Sequence, residues 1–328
     1  MRTYNWGILG PGNIAQRIIR CFPFAPHANV LAVASQTPGK AAAFAQQWHI
    51  PRHYESYLDL VKDPDIDIVY VATPNSFHRE LAMLAMNHGK HVLVEKPFAM
   101  NAAEAEEMVR CAQTNHVFMM EGMWTRFFPA IDKVMELVQN GTIGKVNNIQ
   151  ADFAYRMPYI PGHRMYLPEL GGGSLMDVGI YCLSLAAYVY GQVPIKVSGI
   201  AHLEHDVDLR TNFLLDFPCG GEAACFSSCD TTTPTETRIF GENGWISIPR
   251  FFAPDTLLLH LYETEETQTI SFDLQGEGFQ YELEAVMACI DQGLSQCPRM
   301  PWTQSVALMS VMDDLRGQIG LKFPTDNP

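Results

Sequence analysis

A lysine between a glutamate and a proline follows a short apolar run in this chain. Residues 91–97 read HVLVEKP, and residues 92–94 have the apolar character of a buried strand. Opposite charges at Glu95 and Lys96 suit an ordinary surface ion pair, but they also suit a catalytic lysine that is held in place. Ligands of open parallel sheets bind beyond the carboxyl ends of the strands. If residues 92–94 form such a strand, the second interpretation is favoured.

A glycine-rich turn near the N-terminus has the pattern of a dinucleotide site. Residues 7–15 read GILGPGNIA, and Gly10, Gly12 and Ala15 fit G-x-G-x-x-G/A between a strand pattern and a helix pattern. The first glycine permits the tight turn, the second lets the backbone approach a pyrophosphate, and the small third residue lets helix and strand pack closely. We therefore predict a dinucleotide site at this turn. Its predicted residues are Gly10, Pro11, Gly12, Asn13 and Ile14.

The end of the second strand pattern bears on the choice of cofactor. NAD sites usually carry an acidic residue there, which binds the ribose hydroxyls, whereas this chain has Ser35 and Gln36, with Lys40 one turn on. No carboxylate at this place would repel a 2′-phosphate, and Lys40 could attract one. A solvated helix lysine is the plain alternative for Lys40. We predict NADP as the preferred cofactor, with NAD as the alternative.

Strand and helix patterns alternate over the first 120 residues, which is typical of a parallel sheet with helices on both faces. After residue 124 several strand patterns follow one another with turn signals, including one strand over 237–248, and they predict an antiparallel meander. The predicted fold class is therefore α/β. An N-terminal Rossmann domain, with a doubly wound parallel sheet, covers residues 1–122. A C-terminal α+β domain with a large, mostly antiparallel open sheet covers residues 123–328.

Composition limits the class of protein. The chain has 328 residues, of which 47% are apolar, and this is enough for two packed domains. The formal net charge is −14 and no basic run occurs, so we expect a small-molecule substrate and no nucleic-acid partner. There is no signal-peptide pattern and no apolar run near membrane-spanning length, so we expect a cytoplasmic protein with no membrane partner. The eight cysteines include no CxxC pair, and we expect no metal site.

Several motifs, taken in order, match the pattern of one family. TPN at 73–75 with His78, EKP at 95–97 and GGGSLMDVGIY at 171–181 follow the glycine turn. This series resembles the glucose-fructose oxidoreductase / inositol dehydrogenase / MocA family over nearly the whole chain.

Two further features are most similar to one branch of that family. These are EGMWTRFFPA at 121–130, and Asp177 with Tyr181, where many family members carry histidine in place of the tyrosine. The branch holds dimeric dihydrodiol dehydrogenase and NADP-dependent D-xylose dehydrogenase. The chain departs from the family at Gln36, where an arginine is common, and this departure weakens the NADP prediction.

The resemblance implies roles for individual residues. Lys96 would be the family's essential lysine, and Asp177 and Tyr181, one helical turn apart, would complete the catalytic set. It also implies a cis Lys96–Pro97 peptide bond. Beyond the glycine turn, the predicted cofactor-binding residues are Ser35, Gln36, Lys40, Thr73, Pro74, Asn75, His78, Glu95, Lys96 and Trp124. The predicted substrate-binding residues are Lys96, Trp124, Phe153, Arg164, Asp177 and Tyr181, with Arg126 as a weaker candidate.

The activity that the resemblance implies is NAD(P)-dependent hydride transfer to or from a sugar, polyol or diol hydroxyl, in a dehydrogenase or reductase that acts on CH–OH groups. We predict Tyr181 as the general acid or base, because a nearby Lys96 ammonium would favour its phenolate, although burial would oppose it. Lys96 as proton donor, with Tyr181 in a positioning role, is the alternative. A non-catalytic NADP(H)-binding sensor is an alternative of another class. The resemblance also implies that the open face of the C-terminal sheet pairs with its copy, so we predict a homodimer or higher homo-oligomer.

Overall fold

The computed structural model describes residues 2–326, which form two compact units. The first contains the described residues up to Trp124 together with Leu274–Val306, and the second contains Thr125–Asp273 and the described residues from Ala307 onward. The division into domains 1–122 and 123–328 stays a prediction. It differs from the compact units chiefly because the late segment Leu274–Val306 belongs to the first unit.

A six-stranded parallel sheet lies at the centre of the first unit. Its strands run side by side in the order β3-β2-β1-β4-β5-β6, which is the strand order of dinucleotide-binding folds. The central strand β4 is fully buried, as expected where helices cover both faces. The predicted Rossmann sheet is confirmed. Its strands are β1 Tyr4–Leu9, β2 Ala28–Ala34, β3 Arg52–Tyr54, β4 Ile68–Val71, β5 His91–Glu95 and β6 Met119–Gly122.

Two helices of the first unit begin with a side-chain N-cap, which is Ser56 in one and Asn101 in the other. Asn101 Oδ1 accepts the Glu104 N–H at 2.9 Å. The Glu104 carboxylate accepts the N–H of Met100 at 3.1 Å. Strand β3 and helix α3 were not predicted. The helices are α1 Asn13–Ile19, α2 Lys40–Trp48, α3 Tyr57–Lys62, α4 His78–Asn87, α5 Ala102–Asn115 and, from the late segment, α8 Phe279–Asp291.

The second unit contains an eight-stranded mixed sheet in the order β14-β13-β12-β11-β7-β10-β9-β8. Every neighbouring pair is antiparallel except β7 and β10, so the predicted large, mostly antiparallel sheet is confirmed. The meander is interrupted because β7 lies between β11 and β10. The strands are β7 Val146–Ala154, β8 Lys196–Glu204, β9 Val207–Asp216, β10 Glu222–Ser228, β11 Glu236–Gly241, β12 Gly244–Pro249, β13 Thr256–Leu261 and β14 Glu266–Ser271.

The single strand predicted over residues 237–248 is wrong. The chain turns back at Glu242 and Asn243, so that β11 and β12 pair antiparallel with Phe240 opposite Trp245. A side chain at Gly244 would come within 2.1 Å of the His260 carbonyl oxygen, so only glycine fits there. The sequence Gly-Glu-Asn-Gly is a turn signal within an otherwise strand-like run.

Three further α-helices occur among residues 2–326, and one of them lies in the core of the second unit. They are α6 Pro129–Gln139, α7 Ile180–Tyr190 and α9 Trp302–Ile319. Helix α7 packs against β7 and β10. The stretch Pro168–Tyr190 is long and apolar enough to cross a membrane, with a mean hydropathy of 1.3, but 94% of it is buried within the protein. It is therefore a core element of the fold.

Candidate active site

The glycine turn has the backbone geometry that a dinucleotide site requires. Gly10 has φ +92°, a conformation that favours glycine, and its N–H donates to the Ala34 carbonyl at 3.1 Å. A Cβ on Gly10 would lie 2.8 Å from Thr73 Cγ2, whereas a Cβ on Gly12 would meet nothing nearer than the Ala72 oxygen at 3.9 Å. Gly12 caps α1 without a side-chain hydrogen bond. The turn therefore leaves room for a pyrophosphate at the backbone of the helix N-terminus, and the residues fit the implied cofactor.

A carboxylate that sequence reasoning missed lies beside the loop after β2. Ser35 is buried and its Oγ accepts the Thr37 N–H at 3.1 Å, while Gln36 and Lys40 are exposed. The Glu55 carboxylate, which comes from the next loop, accepts the Gly39 N–H at 3.3 Å. This carboxylate lies beside the turn where the prediction found none. Only the pairing of β2 with β3 brings it there.

A buried histidine joins the loops that follow β4 and β5. His78 has no exposed surface, and its Nδ1 lies 2.9 Å from the Pro97 carbonyl oxygen. Its Nε2 lies 3.0 Å from the Thr73 carbonyl oxygen. The structure thus places His78 as a support for both loops. Thr73, Pro74 and Asn75, which are predicted cofactor-binding residues, follow β4 at the carboxyl edge of the sheet.

Lys96 follows β5 at that same edge and is half-buried. The Lys96–Pro97 peptide bond is cis, which confirms the prediction. The preceding Glu95 is buried, and its Oε1 accepts the hydroxyl proton of Tyr70 from the adjacent strand. Burial raises the pKa of Glu95, while the Tyr70 hydrogen bond and the Lys96 charge lower it. The Tyr70 hydroxyl therefore fixes the Glu95 carboxylate next to Lys96.

A second carboxyl group lies near Glu95. Glu282 on α8 is fully buried, and neither of its oxygens has a hydrogen-bond partner within the described residues. Its Oε2 lies 3.6 Å from the position that a Cβ on Gly122 would take, and Gly122 is the sheet neighbour of Glu95. Burial, and then the charge of Glu95, raise the pKa of Glu282 well above its usual value. The pKa of Glu95 is also raised, but the Tyr70 hydrogen bond and the Lys96 charge oppose that rise, so Glu282 is the one of the two that more strongly favours its protonated form.

Trp124 is a packed core residue of the first unit. Its ring is 2% exposed and stacks on Phe279, with centroids 4.1 Å apart and an interplanar angle of 6°. The Arg17 guanidinium lies 5.4 Å from the Trp124 ring centroid, and its Nε donates to Glu277 at 2.8 Å. The roles of Trp124 in cofactor and substrate binding stay predictions. The structure shows this packing within the first unit.

In the second unit, two side chains fix the predicted catalytic aspartate. Asp177 lies in a π-helical turn, Leu175–Gly179, that leads directly into α7. The hydroxyl of Tyr155 donates to Asp177 Oδ2 at 2.7 Å, and the guanidinium of Arg164 lies 3.1 Å from Oδ1. Burial, and then the charge of Asp177, raise the pKa of Tyr155, so this tyrosine stays neutral and donates. π-Helical turns occur frequently at functional sites.

Tyr155 is a site residue that sequence reasoning missed. It follows the end of β7, two residues after Phe153, and alternate residues of an extended chain share a face. Because Phe153 is a predicted substrate-binding residue, this alternation could have indicated Tyr155 as a second residue of the site. Arg164 is a predicted substrate-binding residue, and it forms the ion pair with Asp177. It follows the loop that begins at Tyr155.

Tyr181 is packed among aromatic rings in the second unit. It lies in the first turn of α7, is 6% exposed, and its ring centroid is 5.3 Å from that of Phe153. Phe153 in turn stacks on Phe252 at 4.7 Å. The structure thus brings together the predicted residues Phe153 and Tyr181. Arg126 is buried elsewhere along α7, where its Nε donates to Ser184 Oγ at 3.0 Å, and it supports that helix.

A buried aspartate holds the start of the π-helical turn. Asp208 Oδ2 accepts from Ser174 Oγ at 2.7 Å, from the Leu175 N–H at 2.8 Å and from Thr211 Oγ1 at 2.8 Å. Gly173 has φ +104°, and a Cβ there would lie 2.2 Å from Asp208 Oδ1. Burial raises the pKa of Asp208 to about 6. Gly173 is therefore required for Asp208 to reach the chain that carries Asp177.

Removing the Tyr155 hydroxyl is expected to release one oxygen of Asp177. In Tyr155→Phe we expect kcat/KM for the substrate to fall by about 10-fold, the loss of about 1.4 kcal/mol that accompanies a charge-assisted hydrogen bond. The dissociation constant for the nicotinamide cofactor, measured by fluorescence titration, should stay unchanged. Tyr190→Phe is the matched control, because the Tyr190 hydroxyl donates to the Glu222 carbonyl and makes no bond to Asp177. Equal losses in both variants would contradict the assignment.

Two family models match successive parts of the chain. Residues 4–123 match the oxidoreductase family with an NAD-binding Rossmann fold, and residues 131–247 match the GFO/IDH/MocA C-terminal domain. The chain belongs to the GFO/IDH/MocA family. The predicted family, its oxidoreductase activity and its dinucleotide cofactor are thereby confirmed.

Relatives of this GFO/IDH/MocA protein match over almost their whole length. A trans-1,2-dihydrobenzene-1,2-diol dehydrogenase of Danio rerio is 36% identical, over 98% of each chain. An aldose-aldose oxidoreductase from Caulobacter crescentus, crystallised with glycerol, has a TM-score of 0.89 at 29% identity, over 97% of each chain. A 3-ketoreductase from Actinomadura kijaniata, crystallised with NADP, shares the fold with a TM-score of 0.87 at 24% identity, over 97% of this chain and 98% of that one.

Proposed function

We propose that the protein transfers a hydride between a nicotinamide cofactor and a hydroxyl-bearing carbon of a sugar, polyol or diol. The observation that carries the proposal is that Tyr155 and Arg164 fix the carboxylate of Asp177. Asp177 lies one helical turn before Tyr181. A carboxylate fixed in this way accepts hydrogen bonds from hydroxyl groups, which such substrates have in number. Relatives named for a dihydrodiol and for aldoses support the same substrate class.

The cofactor supplies the hydride chemistry when it is bound, and the protein binds, orients and handles the proton. We assign the pyrophosphate to the turn around Gly10 and Gly12, because its backbone is open there. NADP stays the preferred cofactor in this proposal on account of Ser35, Gln36 and Lys40. The Glu55 carboxylate at Gly39 opposes that preference, since it would repel a 2′-phosphate.

We propose that Tyr181 exchanges the hydroxyl proton and that Lys96 stabilises the reacting oxygen. Glu95 acts as a support of Lys96, because its carboxylate is buried and bonded to Tyr70. Asp177 orients the substrate hydroxyl. The reverse assignment, in which Lys96 is the proton donor and Tyr181 positions it, uses the same residues.

The proposed function is tested by the change in nicotinamide absorbance when the protein is mixed with NADP or NAD and a panel of aldoses, polyols and diols. Turnover with at least one hydroxyl substrate, and a lower KM for NADP than for NAD, are expected. Tight cofactor binding without turnover on any member, in either direction, would support the non-catalytic sensor instead. Simple monoalcohols are the matched controls, because they offer one hydroxyl and cannot engage Asp177 and the reacting site together.

We also propose that the protein is a cytoplasmic homo-oligomer. All eight cysteines are free thiols, which suits a reducing compartment. One face of the large sheet carries exposed apolar side chains, among them Ile200 at 73% and Leu214 at 60% exposure, beside half-buried Phe226. These residues share a face, because Leu214 pairs with Ser198 and Phe226 pairs with Asn212 across the strands. A second copy of the same face is the occupant that we propose.

A charge in the middle of this face is expected to separate the subunits. Leu214→Arg should shift the mass measured by light scattering at micromolar concentration from that of an oligomer to that of a monomer, because it places two like charges in an apolar contact. Leu58→Arg is the control, since Leu58 is 38% exposed but lies on α3 of the first unit. A wild-type chain that is already monomeric would contradict the proposed oligomer.

A further inference from the structure

A loop over residues 156–163 lies between the two residues that hold Asp177. Tyr155, which precedes the loop, donates its hydroxyl to Asp177 Oδ2 at 2.7 Å, and Arg164, which follows it, lies 3.1 Å from Oδ1. Residues 158–162, in the middle of the loop, are exposed to solvent. A movement of the loop would therefore change the position of Arg164 relative to the Asp177 carboxylate.

Both ends of this loop are fixed within the second unit. At its start, the Met157 N–H donates to the Cys229 carbonyl at 2.8 Å. After its end, Met165 and Tyr166 are buried, and the Tyr166 hydroxyl donates to the Met157 carbonyl at 2.8 Å. These bonds hold the ends of the loop together, but they do not extend to its exposed middle.

An aromatic stack joins the middle of the loop to the hairpin of β8 and β9. The Tyr159 ring lies on the His205 ring, with centroids 4.1 Å apart and an interplanar angle of 15°. The Tyr166 ring meets Tyr159 edge-on, with centroids 4.9 Å apart and an interplanar angle of 76°. Tyr159 is 51% exposed, so the stack lies at the protein surface. An exposed part of the loop is thus connected to a separate hairpin.

The backbone and a carboxylate fix the His205 ring on which Tyr159 lies. His205 and Asp206 form the two-residue turn between β8 and β9, with φ +57° and +60°. In turns of this geometry Asn-Gly is the usual pair, and histidine is one of the residues that tolerate positive φ. Nε2 of the ring lies 3.3 Å from Glu204 Oε1. The turn and Glu204 therefore give the ring a defined orientation.

We propose that His205 is a positioning residue for the substrate. Its ring holds the loop through Tyr159, and the loop keeps Arg164 paired with Asp177. The inference rests on the proposed function, in which the Asp177 carboxylate orients a substrate hydroxyl. When the stack is broken, the loop samples positions in which Arg164 leaves Asp177, and the fraction of the protein that is competent to bind substrate falls.

The first test measures substrate kinetics in His205→Asn, which removes the ring but suits the turn position at φ +57°. We expect KM for the substrate to rise by about 2- to 10-fold, the factor that corresponds to one aromatic contact. Because the groups that handle the proton are unchanged, kcat should stay within about 2-fold of the wild-type value. The dissociation constant for the cofactor should not change. An unchanged KM would overturn the proposal.

Variants of Tyr159 test whether the stack itself carries the effect. Tyr159→Leu should raise KM as His205→Asn does, whereas Tyr159→Phe keeps the ring and should keep the wild-type KM. Combining Tyr159→Leu with His205→Asn should raise KM no further, because both changes break the same contact. Additive effects would overturn the proposal. His202→Asn is the matched control, since His202 lies on β8 and its Nε2 is 3.9 Å from Glu204 Oε2.

A second test follows the loop without using activity. Trypsin cleaves after arginine, and the exposed Arg156 and Arg164 lie at the two ends of the loop. In the native protein without substrate, cleavage at these two sites should be about 2- to 10-fold faster in His205→Asn than in the wild type. His202→Asn should be cleaved at the wild-type rate. Mass spectrometry of the fragments identifies the sites.

The two tests separate this inference from the proposed function. Equal cleavage rates in the wild type and His205→Asn would overturn the inference, and so would faster cleavage with an unchanged KM. A wild type that turned over no substrate would instead contradict the proposed function. The cleavage rates would then still decide whether His205 holds the loop.

Discussion

Lys96→Met is expected to lower kcat by about 10²–10⁴-fold, the range that a positioned acid–base group contributes to catalysis. Methionine keeps the length of the stem but removes the ammonium group that the proposal places at the reacting oxygen. The buried Glu95 would then lose the adjacent positive charge that favours its carboxylate form. Cofactor affinity should change much less than kcat, because the pyrophosphate is assigned to the glycine turn.

Tyr181→Phe measured beside Lys96→Met distinguishes the two proton assignments. If Tyr181 exchanges the proton, its loss should cost the same large factor in kcat, and Lys96→Arg should restore part of the activity by keeping the charge. If Lys96 donates the proton, Tyr181→Phe should cost only about 10-fold, as expected for one lost hydrogen bond.

The controls are Tyr188→Phe, which lies on the same helix, and Lys62→Met, which is an exposed lysine. Both should keep wild-type kcat. Near-normal kcat in both Lys96→Met and Tyr181→Phe would exclude the scheme, whereas turnover by the wild type would still support the oxidoreductase function.

Glu282→Gln is expected to stabilise the protein, and the gain should grow as the pH rises. The pKa of Glu282 in the folded protein lies well above its ordinary value because of burial and the nearby Glu95 charge. When the pKa of a carboxyl group is higher in the folded than in the unfolded protein, the group stabilises the fold at pH values below the pKa of the unfolded state. This contribution to the free energy of unfolding is lost as the pH rises towards the pKa of the folded state. Each unit of the shift corresponds to about 1.36 kcal/mol. Glutamine has the shape of the protonated acid and cannot ionise.

The measurement is the free energy of unfolding in urea between pH 5 and pH 8. At pH 5 the two proteins should differ little, whereas at pH 8 the variant should be more stable by at least about 1 kcal/mol. Glu284→Gln makes the same change at an exposed position of α8 and should give a much smaller difference at every pH. A Glu282→Gln variant that is less stable than the wild type at pH 8 would show that Glu282 is ionised in the folded protein.

The parts of the site that follow one strand or one turn could be predicted from the sequence. The glycine turn needs only the strand before it and the helix after it, and Lys96 needs only the end of β5. Asp177 and Tyr181 follow the glycines at 171–173 in one helical segment. In each case, the residues that matter are neighbours along the chain.

The supports of these residues could not be predicted, because they come from distant parts of the chain. Tyr70 reaches Glu95 only through the pairing of β4 with β5, and Asp208 reaches the Leu175 N–H only because β9 packs against the π-helical turn. Glu282 lies on the buried face of α8, three residues after Phe279, so helical periodicity could have marked it as buried. Its position near Glu95 depends on the return of Leu274–Val306 to the first unit, for which the sequence carries no local signal.

This return has a consequence for synthesis on the ribosome. Residues up to Trp124 emerge first, but Phe279, which stacks on Trp124, emerges only after the whole of Thr125–Asp273. Until then the nascent sheet lacks one of its covering helices and exposes apolar surface that chaperones recognise. All eight strands of the second sheet, Val146–Ser271, therefore emerge while the first unit is still incomplete. The second unit in turn is complete only when the residues from Ala307 onward have emerged, so each unit depends on a segment that is made after most of the other.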